Sequence, residues 1–473
     1  MGNRKDFEDW ANEEFGNAAL GDVRRTARLV QVVARAAENP SGKLSEVFQS
    51  PRELDAAYDF VERDQTTVER LQTAMGLATA RRCEGPYVFV PVDGSSLNLT
   101  DAGGTKGFGS VGTLEAGARG LKVMNALAVG ADGVPIGLLA QSWWARQTPK
   151  RRTAKQKRND NARRKVEEKE TRYWLETIEC AAEHLDSVGA HGWFQLDREG
   201  DAWPTLQKLS QSGHLFTVRS AWDRVIEATG RDKQYLRACL AASQPVGRFE
   251  LDVSGNSSRH ARVAHMVMHA TEVTLLVRDK RSKKRQPLPM RVVWVHELGS
   301  TPPGEKPLDW MLLTNAPIDT VDAARQVVLG YSIRWRVEEF HKTWKTGRCN
   351  VELTQLRSRN AAIRWATILA VAAVRIERLK RLARTDPDRP ATDELTPTEI
   401  EVMFALKRLE KKRTETLPAA IPTIAQAVRW IADLGGYTGK SSGGPPGSIT
   451  IGRGLRRVQD GAKAVLALRS APN

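Results

Sequence analysis

The sequence is poor in the features that mark membrane, secreted and disulfide-stapled proteins. No apolar run is long enough to span a bilayer. The first fifteen residues, MGNRKDFEDWANEEF, carry no apolar signal core, and Asp6 stands where a myristoylation signal wants Ser or Thr. Four cysteines (Cys83, Cys180, Cys239, Cys349) are scattered with no CxxC pair, so neither a disulfide framework nor a thiolate zinc site is implied. The expectation is a protein of the reducing cytosol, with no membrane partner. Acidic residues are also in short supply. Against 72 Lys and Arg there are 56 Asp and Glu, a net charge of +16. A basic excess of this size points to a polyanionic partner, and nucleic acid is the commonest.

What is present is a chain of 473 residues, 27% charged and 41% hydrophobic, long enough for two or three domains. Residues 1–70 read as helices. GDVRRTARLVQVVARAAENPSG predicts a helix that starts at an Asp22 cap and stops near Asn39-Pro40. Arg24, Arg28, Gln31 and Arg35 share one face of it, with few acids nearby in sequence. Such a stripe suits a phosphate backbone as well as it suits open solvent.

Strand patterns follow. YVFVPV is an apolar run ending at Asp93 and a small-residue turn. LKVMNALAVGADGVPIGLLAQSWW reads as a hairpin with ADG at its turn. A strongly basic stretch, 146–165, comes next. GWFQLDREGDAW then delivers a second aspartate, Asp197, at the end of an apolar run. FTVRS, RFELDVSG, ARVAHMVMHA, TEVTLLVRD, MRVVWVHEL and DWMLLTNAP read as successive strands, and RNAAIRWATILAVAAVRIERLKRLART as a long, largely buried helix. TDPDRPATDELTPTE reads as a linker, and the remainder as helices with a Gly-rich break. The GKSS in that break lacks the glycine a phosphate-binding loop requires, because Leu434 stands in its place. GGTKGFGSVG, Gly103–Gly112, fits no dinucleotide fingerprint and reads as a flexible loop. His260, His265 and His269 read as ordinary histidines of the strand region.

The segment YSIRWRVEEFHKTWKTG, Tyr331–Gly347, is predicted helical. Tyr331, Arg334, Glu338 and Lys345 then fall on one arc of roughly 60°, and Ile333, Val337, Phe340 and Trp344 on another. The first arc is either a solvated face with ordinary ion pairs or a working face, and the segment alone does not decide. Two aspartates at strand ends and a glutamate on a helix are a constellation that needs cations, because clustered carboxylates repel. Mg²⁺ prefers such hard oxygen ligands, and a pair of ions would activate a nucleophile and stabilise the leaving oxygen of a phosphodiester. An aspartate at a strand end serves equally as a cap.

The order Tyr, two residues, Arg, three residues, Glu, six residues, Lys in that segment resembles the signature of DDE transposases of the insertion-sequence-four family. AALGDVRRTARLV, DREGDAW, FTVRS and LDWMLLTNAPI resemble the same family, in the same order along nearly the whole chain. The resemblance implies an RNase H-like α/β core at 71–384 with a β-rich insertion at about 214–316. It implies a helical end-binding domain at 1–70 and a helical dimerisation domain at 385–473. It assigns Asp93, Asp197 and Glu338 as catalytic metal ligands for two Mg²⁺ ions, with Mn²⁺ as a substitute. Tyr331, Arg334 and Lys345 match phosphate-holding positions, and His341 and Lys342 on the same segment are further candidates for DNA contact. Trp310 matches the tryptophan that receives an extruded base, Arg219 a DNA-contacting arginine, and Arg24, Arg25 and Arg28 a cluster that reads the transposon end. The implied activity is cut-and-paste transposition through a DNA hairpin, by a homodimer that pairs two inverted-repeat ends and joins them to target DNA. The implied place is the bacterial cytoplasm, at the nucleoid. Asp59 and Glu62 depart from the family pattern, where arginine is expected, as do the basic 146–165 and the C-terminal segment. A plain nuclease of the same fold and a non-catalytic DNA-binding regulator are the competing readings. Trp310 with Tyr331 and Arg334 opposes the first, and the intact carboxylate set opposes the second.

Overall fold

The structure is a computed structural model that describes residues 2–112, 117–147, 153, 155–156, 163–227, 233–253, 255, 259–278, 285–410, 417, 420–439 and 444–470, with the backbone alone for 2–6 and 470. Most of the basic stretch 146–165 and part of the GKSS break lie outside the described residues. The fold is mixed α/β, with a large sheet and many helices. The chain divides into two compact units, one of residues 1–85, 94–150 and 336–473, the other of 86–93 and 151–335.

The first unit begins with helices α1 (Gly2–Phe15), α2 (Val23–Glu38), α3 (Leu44–Val47), α4 (Pro51–Glu62) and α5 (Val68–Ala80). α2 runs from cap to cap as its sequence predicts: Asp22 accepts from the Arg24 amide at 2.9 Å, and Asn39 closes the other end. Arg35 departs from the expected open stripe. Its guanidinium binds Glu38 at 3.0 Å and Glu53 at 2.9 Å, and Glu53 lies eighteen residues on, where helix periodicity cannot reveal it. The predicted hairpin forms from β3 (Arg119–Val129) and β4 (Pro135–Trp144), numbered after β1 (Val88–Asn98) and the short β2 (Gly109–Ser110). Gly133 takes φ 77° in its turn, a conformation that favours glycine, and the Asp132 carboxylate accepts from the Val134 amide at 2.9 Å.

Strand β1 does not end at Asp93. It continues through GSSLN to Asn98 beside β3, with the Leu99 amide donating to the Arg119 carbonyl at 2.9 Å. Small polar residues mimic a turn there, but the neighbouring strand supplies their partners. The Gly103–Gly112 segment is organised around Asp101, which accepts from the amides of Thr105 and Lys106 and pairs with Arg119 at 3.1 Å.

In the second unit, β1, β5 (Gly192–Leu196) and β6 (Leu215–Arg219) are parallel neighbours. Helix α6 (Thr171–Asp186) precedes β5, and α7 (Trp203–Gln211) links β5 to β6. The chain then builds β7 (Val225–Ile226), β8 (Gln234–Tyr235), α8 (Leu236–Ala242), β9 (Gly247–Val253), β10 (Arg262–Arg278), β11 (Arg285–Glu297) and β12 (Asp309–Thr314). The stretches ARVAHMVMHA and TEVTLLVRD, expected as two strands, form the single β10 of 17 residues. β10, β11 and β12 form an antiparallel run, and β12 returns beside β6. Helix α9 (Val321–Ile333) follows, capped by Thr320. Its Gly330 permits close approach to the sheet: a Cβ there would lie 2.6 Å from Phe89 Cε1 and 3.0 Å from Gln195 Nε2.

The segment predicted as one helix is interrupted at Arg334, after which α10 (Trp335–Lys345) begins. The Arg334 amide bonds the Tyr331 carbonyl three residues back at 3.2 Å, a tightened turn. In the first unit, α11 (Arg359–Thr385) is the long buried helix expected, capped by Ser358. Glu62 holds that cap, accepting from Ser358 Oγ at 2.9 Å and the Arg357 amide at 3.1 Å, which gives the acidic departure at this position a structural task. The expected linker is fixed by ion pairs of Arg378 with Glu394 and Arg389 with Asp393, and Leu395 and Glu399 are buried. Helices α12 (Pro397–Glu410), α13 (Ile424–Leu434) and α14 (Ser448–Ser470) complete the unit. Buried Arg348 binds the Pro40 carbonyl, Asn39 and Gln459 at 2.7–3.0 Å and so joins the N-terminal helices to α14. Burial pushes its pKa down to about 10.

Candidate active site and DNA-binding residues

Register places two of the predicted carboxylates together. Val92 of β1 is level with Leu196 of β5, which is level with Val218 of β6. Asp93, Asp197 and Arg219 are therefore the next residues at one level of three adjacent parallel strands. The C-terminal edge of parallel strands is where α/β sheets bind ligands. Asp197 also caps the following turn, accepting from the Glu199 amide at 2.8 Å. That cap uses one oxygen and leaves it half-buried at the edge. Asp93 is 9% exposed, and Arg334 Nη1 bonds its carboxylate at 3.0 Å. So the tightened turn after α9 has a consequence: it delivers a guanidinium to the first carboxylate.

Trp310 and Tyr331 belong to the same unit. Trp310, half-buried at the start of β12, packs edge-on against the Tyr331 ring, with centroids 5.8 Å apart. Tyr331 is buried, whereas the helical projection placed it on an open charged arc. Arg219 Nη2 donates to the Asp309 carbonyl at 2.9 Å, beside Trp310.

Glu338 lies on α10, half-buried. The apolar arc behind it is buried as expected, with Val337, Phe340 and Trp344 at 0% exposure. His341, one turn on, offers a ring nitrogen within 4.8 Å of a Glu338 carboxylate oxygen. His341 is itself buried in a chain of polar side chains: its Nε2 is 2.9 Å from Asn125 Nδ2, Gln141 donates to Asn125 Oδ1 at 2.7 Å, and Thr367 donates to Gln141 at 3.0 Å. No spacing in the sequence could have joined these four residues. Lys342 is exposed, and Lys345 stands 4.0 Å from Glu352. In the N-terminal cluster, Arg24 and Arg28 are exposed, while Arg25 donates to the Leu20 carbonyl at 3.2 Å.

Asp93 and Asp197 at one sheet edge, with the Arg334 guanidinium on Asp93, have the donor chemistry for hard divalent cations and phosphodiesters. On a basic α/β scaffold these residues fit the class of metal-dependent nucleic-acid phosphoryl-transfer enzymes. The family models narrow the class. The Transposase DNA-binding model matches residues 7–66. The Transposase DDE domain matches 145–375, and the Transposase Tn5 dimerisation domain matches 371–470. The chain belongs to the Tn5-like DDE transposases, enzymes that use divalent metal to cleave DNA and transfer strands. It binds DNA and forms a homodimer. Among the described residues no helix is long and apolar enough to cross a membrane.

Proposed function

We propose that the protein carries out cut-and-paste transposition on an RNase H-like core, with Asp93, Asp197 and Glu338 as the carboxylate ligands of two Mg²⁺ ions, for which Mn²⁺ can substitute. The observation that carries this reading is the shared level of Asp93 and Asp197 on neighbouring parallel strands, with Arg334 on Asp93. The core assignment is supported by β1 followed by the β3–β4 hairpin, and by β5 and β6 parallel to β1. When bound, the ions supply an activated oxygen nucleophile and stabilise the leaving oxygen.

The chain's own residues do the positioning. Tyr331, Arg334, Lys342 and Lys345 hold phosphates beside the scissile bond. Asp93 would hold metal where it now holds Arg334, and the Arg334 guanidinium would then be available to the DNA backbone. Residues 1–70 serve as the end-binding domain, where Arg24, Arg25 and Arg28 read the inverted repeat, and Arg219 adds a backbone contact. Residues 71–384 form the catalytic domain, and 385–473 pair two protomers in a synaptic complex that joins the ends to target DNA. The work is done in the cytoplasm, at the nucleoid.

Hairpin formation bends a strand back within a few nucleotides, so one base must leave the stack, at a cost of a few kcal/mol. A ring platform returns roughly 1–3 kcal/mol, and Trp310, half-buried and braced by Tyr331, is that platform. Trp310→Ala should nick the first strand yet yield few hairpins on a denaturing gel, with an unchanged thermal melt. Normal hairpin yield removes Trp310 from this role. Loss of the melt and of every activity together makes it a core residue, for which deletion costs about 3–5 kcal/mol.

A further inference from the structure

The loop after β6 has no part in the steps above, yet it is built with care. The Asp201 side chain is fully buried and gathers Ser220 Oγ at 3.1 Å, the Ala221 amide at 2.7 Å and the Arg224 guanidinium. The Ser220 amide donates to the Met311 carbonyl at 2.7 Å, and Ser220 Oγ also bonds the Trp222 carbonyl at 2.9 Å. Asp223 accepts from the Arg237 amide at 2.9 Å. A buried carboxylate that collects this many donors fixes a backbone. What it fixes is the presentation of Trp222, whose side chain is 68% exposed. Tryptophan is rarely left so open, and a rigid loop cannot fold it away.

Position and charge name the occupant. Val218 of β6 is level with Leu196 of β5, so this loop leaves the sheet at the edge that carries Asp93 and Asp197. Ser220 is tied to β12 next to Trp310. Arg219 leads into the loop, and exposed Arg237, whose amide bonds Asp223, stands beside it with its guanidinium 3.0 Å from Asp309. We propose that Trp222 is a DNA contact that stacks on an unpaired base next to the cleaved phosphodiester. The proposal rests on the reading of that edge as the cleavage site. An indole face accepts any base, so the contact adds affinity for opened DNA without reading sequence.

The test measures affinity for two end-bearing DNAs, one fully paired and one with two unpaired bases at the cleavage point, across a range of salt. Trp222→Ala should bind the opened DNA about 5- to 150-fold more weakly, lose much less on the paired DNA, and keep the log–log salt slope, because no phosphate contact is lost. Trp222→Phe, which keeps a ring, should recover most of the affinity and guards against misfolding of the alanine variant. Equal affinity of Trp222→Ala and wild type on the opened DNA overturns the proposal, as does an equal loss on both DNAs with a shallower salt slope. Cleavage by the same preparation of Asp197→Ala reports separately on the edge itself. If that variant cuts normally, the cleavage-site reading fails, whereas normal binding by Trp222→Ala alone removes only the stacking contact.

Discussion

Replacing Arg334 by Met tests how the free enzyme tolerates a carboxylate at the sheet edge. Arg334 and Asp93 are both almost buried, with side chains 11% and 13% exposed and 3.0 Å apart. At that distance, with an effective dielectric near 20, the gross attraction is about 5 kcal/mol, and part of it is spent on desolvation. Removing one partner of a buried pair typically costs about 3–5 kcal/mol, since the remaining charge stays in a poorly solvated place. Methionine keeps the length of the stem, so packing loss is small. The lower end, about 3 kcal/mol, is expected without metal. In a compact unit the size of residues 86–93 and 151–335, 1 kcal/mol moves Tm by about 2–4 °C, so the melt should fall by about 6–12 °C. Divalent metal should return part of that loss, because a cation bound at Asp93 replaces the guanidinium. At a hundred times Kd, binding adds about 2.7 kcal/mol. The assay is a thermal melt of wild type and variant with and without Mg²⁺ or Mn²⁺. The variant should show the lower metal-free Tm and the larger metal-induced rise. A variant that melts with wild type, or whose metal-induced rise is no larger, refutes the argument.

Other outcomes follow from the same geometry. End binding should weaken steeply with salt, each neutralised phosphate contributing about 0.9 to the log–log slope. Arg24→Ala and Arg28→Ala should each lower affinity and flatten that slope, and salt-insensitive binding contradicts the electrostatic basis. The acid limb of stability should involve the β10–β11 ion cluster. The Arg262 guanidinium beside Glu297 and the His260 amide donating to Glu305 hold both carboxyls below the usual 4.5. A depressed folded pKa gives stability that is present above 4.5 and lost as pH falls through the folded value. Glu297→Gln should therefore flatten the fall of Tm below about pH 4.5, and an unchanged profile in that variant rules the cluster out.

Much of the architecture was legible because it is locally encoded. Asp22 and Asn39 bracket α2, ADG marks the hairpin, and Ser358 opens a helix whose long, largely apolar stretch from Ala361 to Val374 signals burial. The positions that misled are those settled by distant partners. GSSLN looks like a turn, but the adjacent β3 extends β1 through it. Arg35 looks like part of an open stripe until Glu53 arrives from another helix. Tyr331 projects to the charged arc, yet the break at Arg334 turns it inward against Trp310. The two strand-end aspartates were visible as residues but not as a pair, since only strand register puts Asp93 level with Asp197. Asp201, four residues after Asp197, had no sequence signal for its role as an anchor.

Strand cleavage of an end-bearing duplex in Mg²⁺, measured beside end binding for Asp93→Ala, Asp197→Ala and Glu338→Ala, tests the central claim most directly. Metal chemistry at a phosphodiester needs all three oxygen donors, whereas binding rests on basic contacts elsewhere. Each variant should bind the end nearly as wild type does and fail to cut either strand. A Glu338→Ala protein that cuts near the wild-type rate would contradict it.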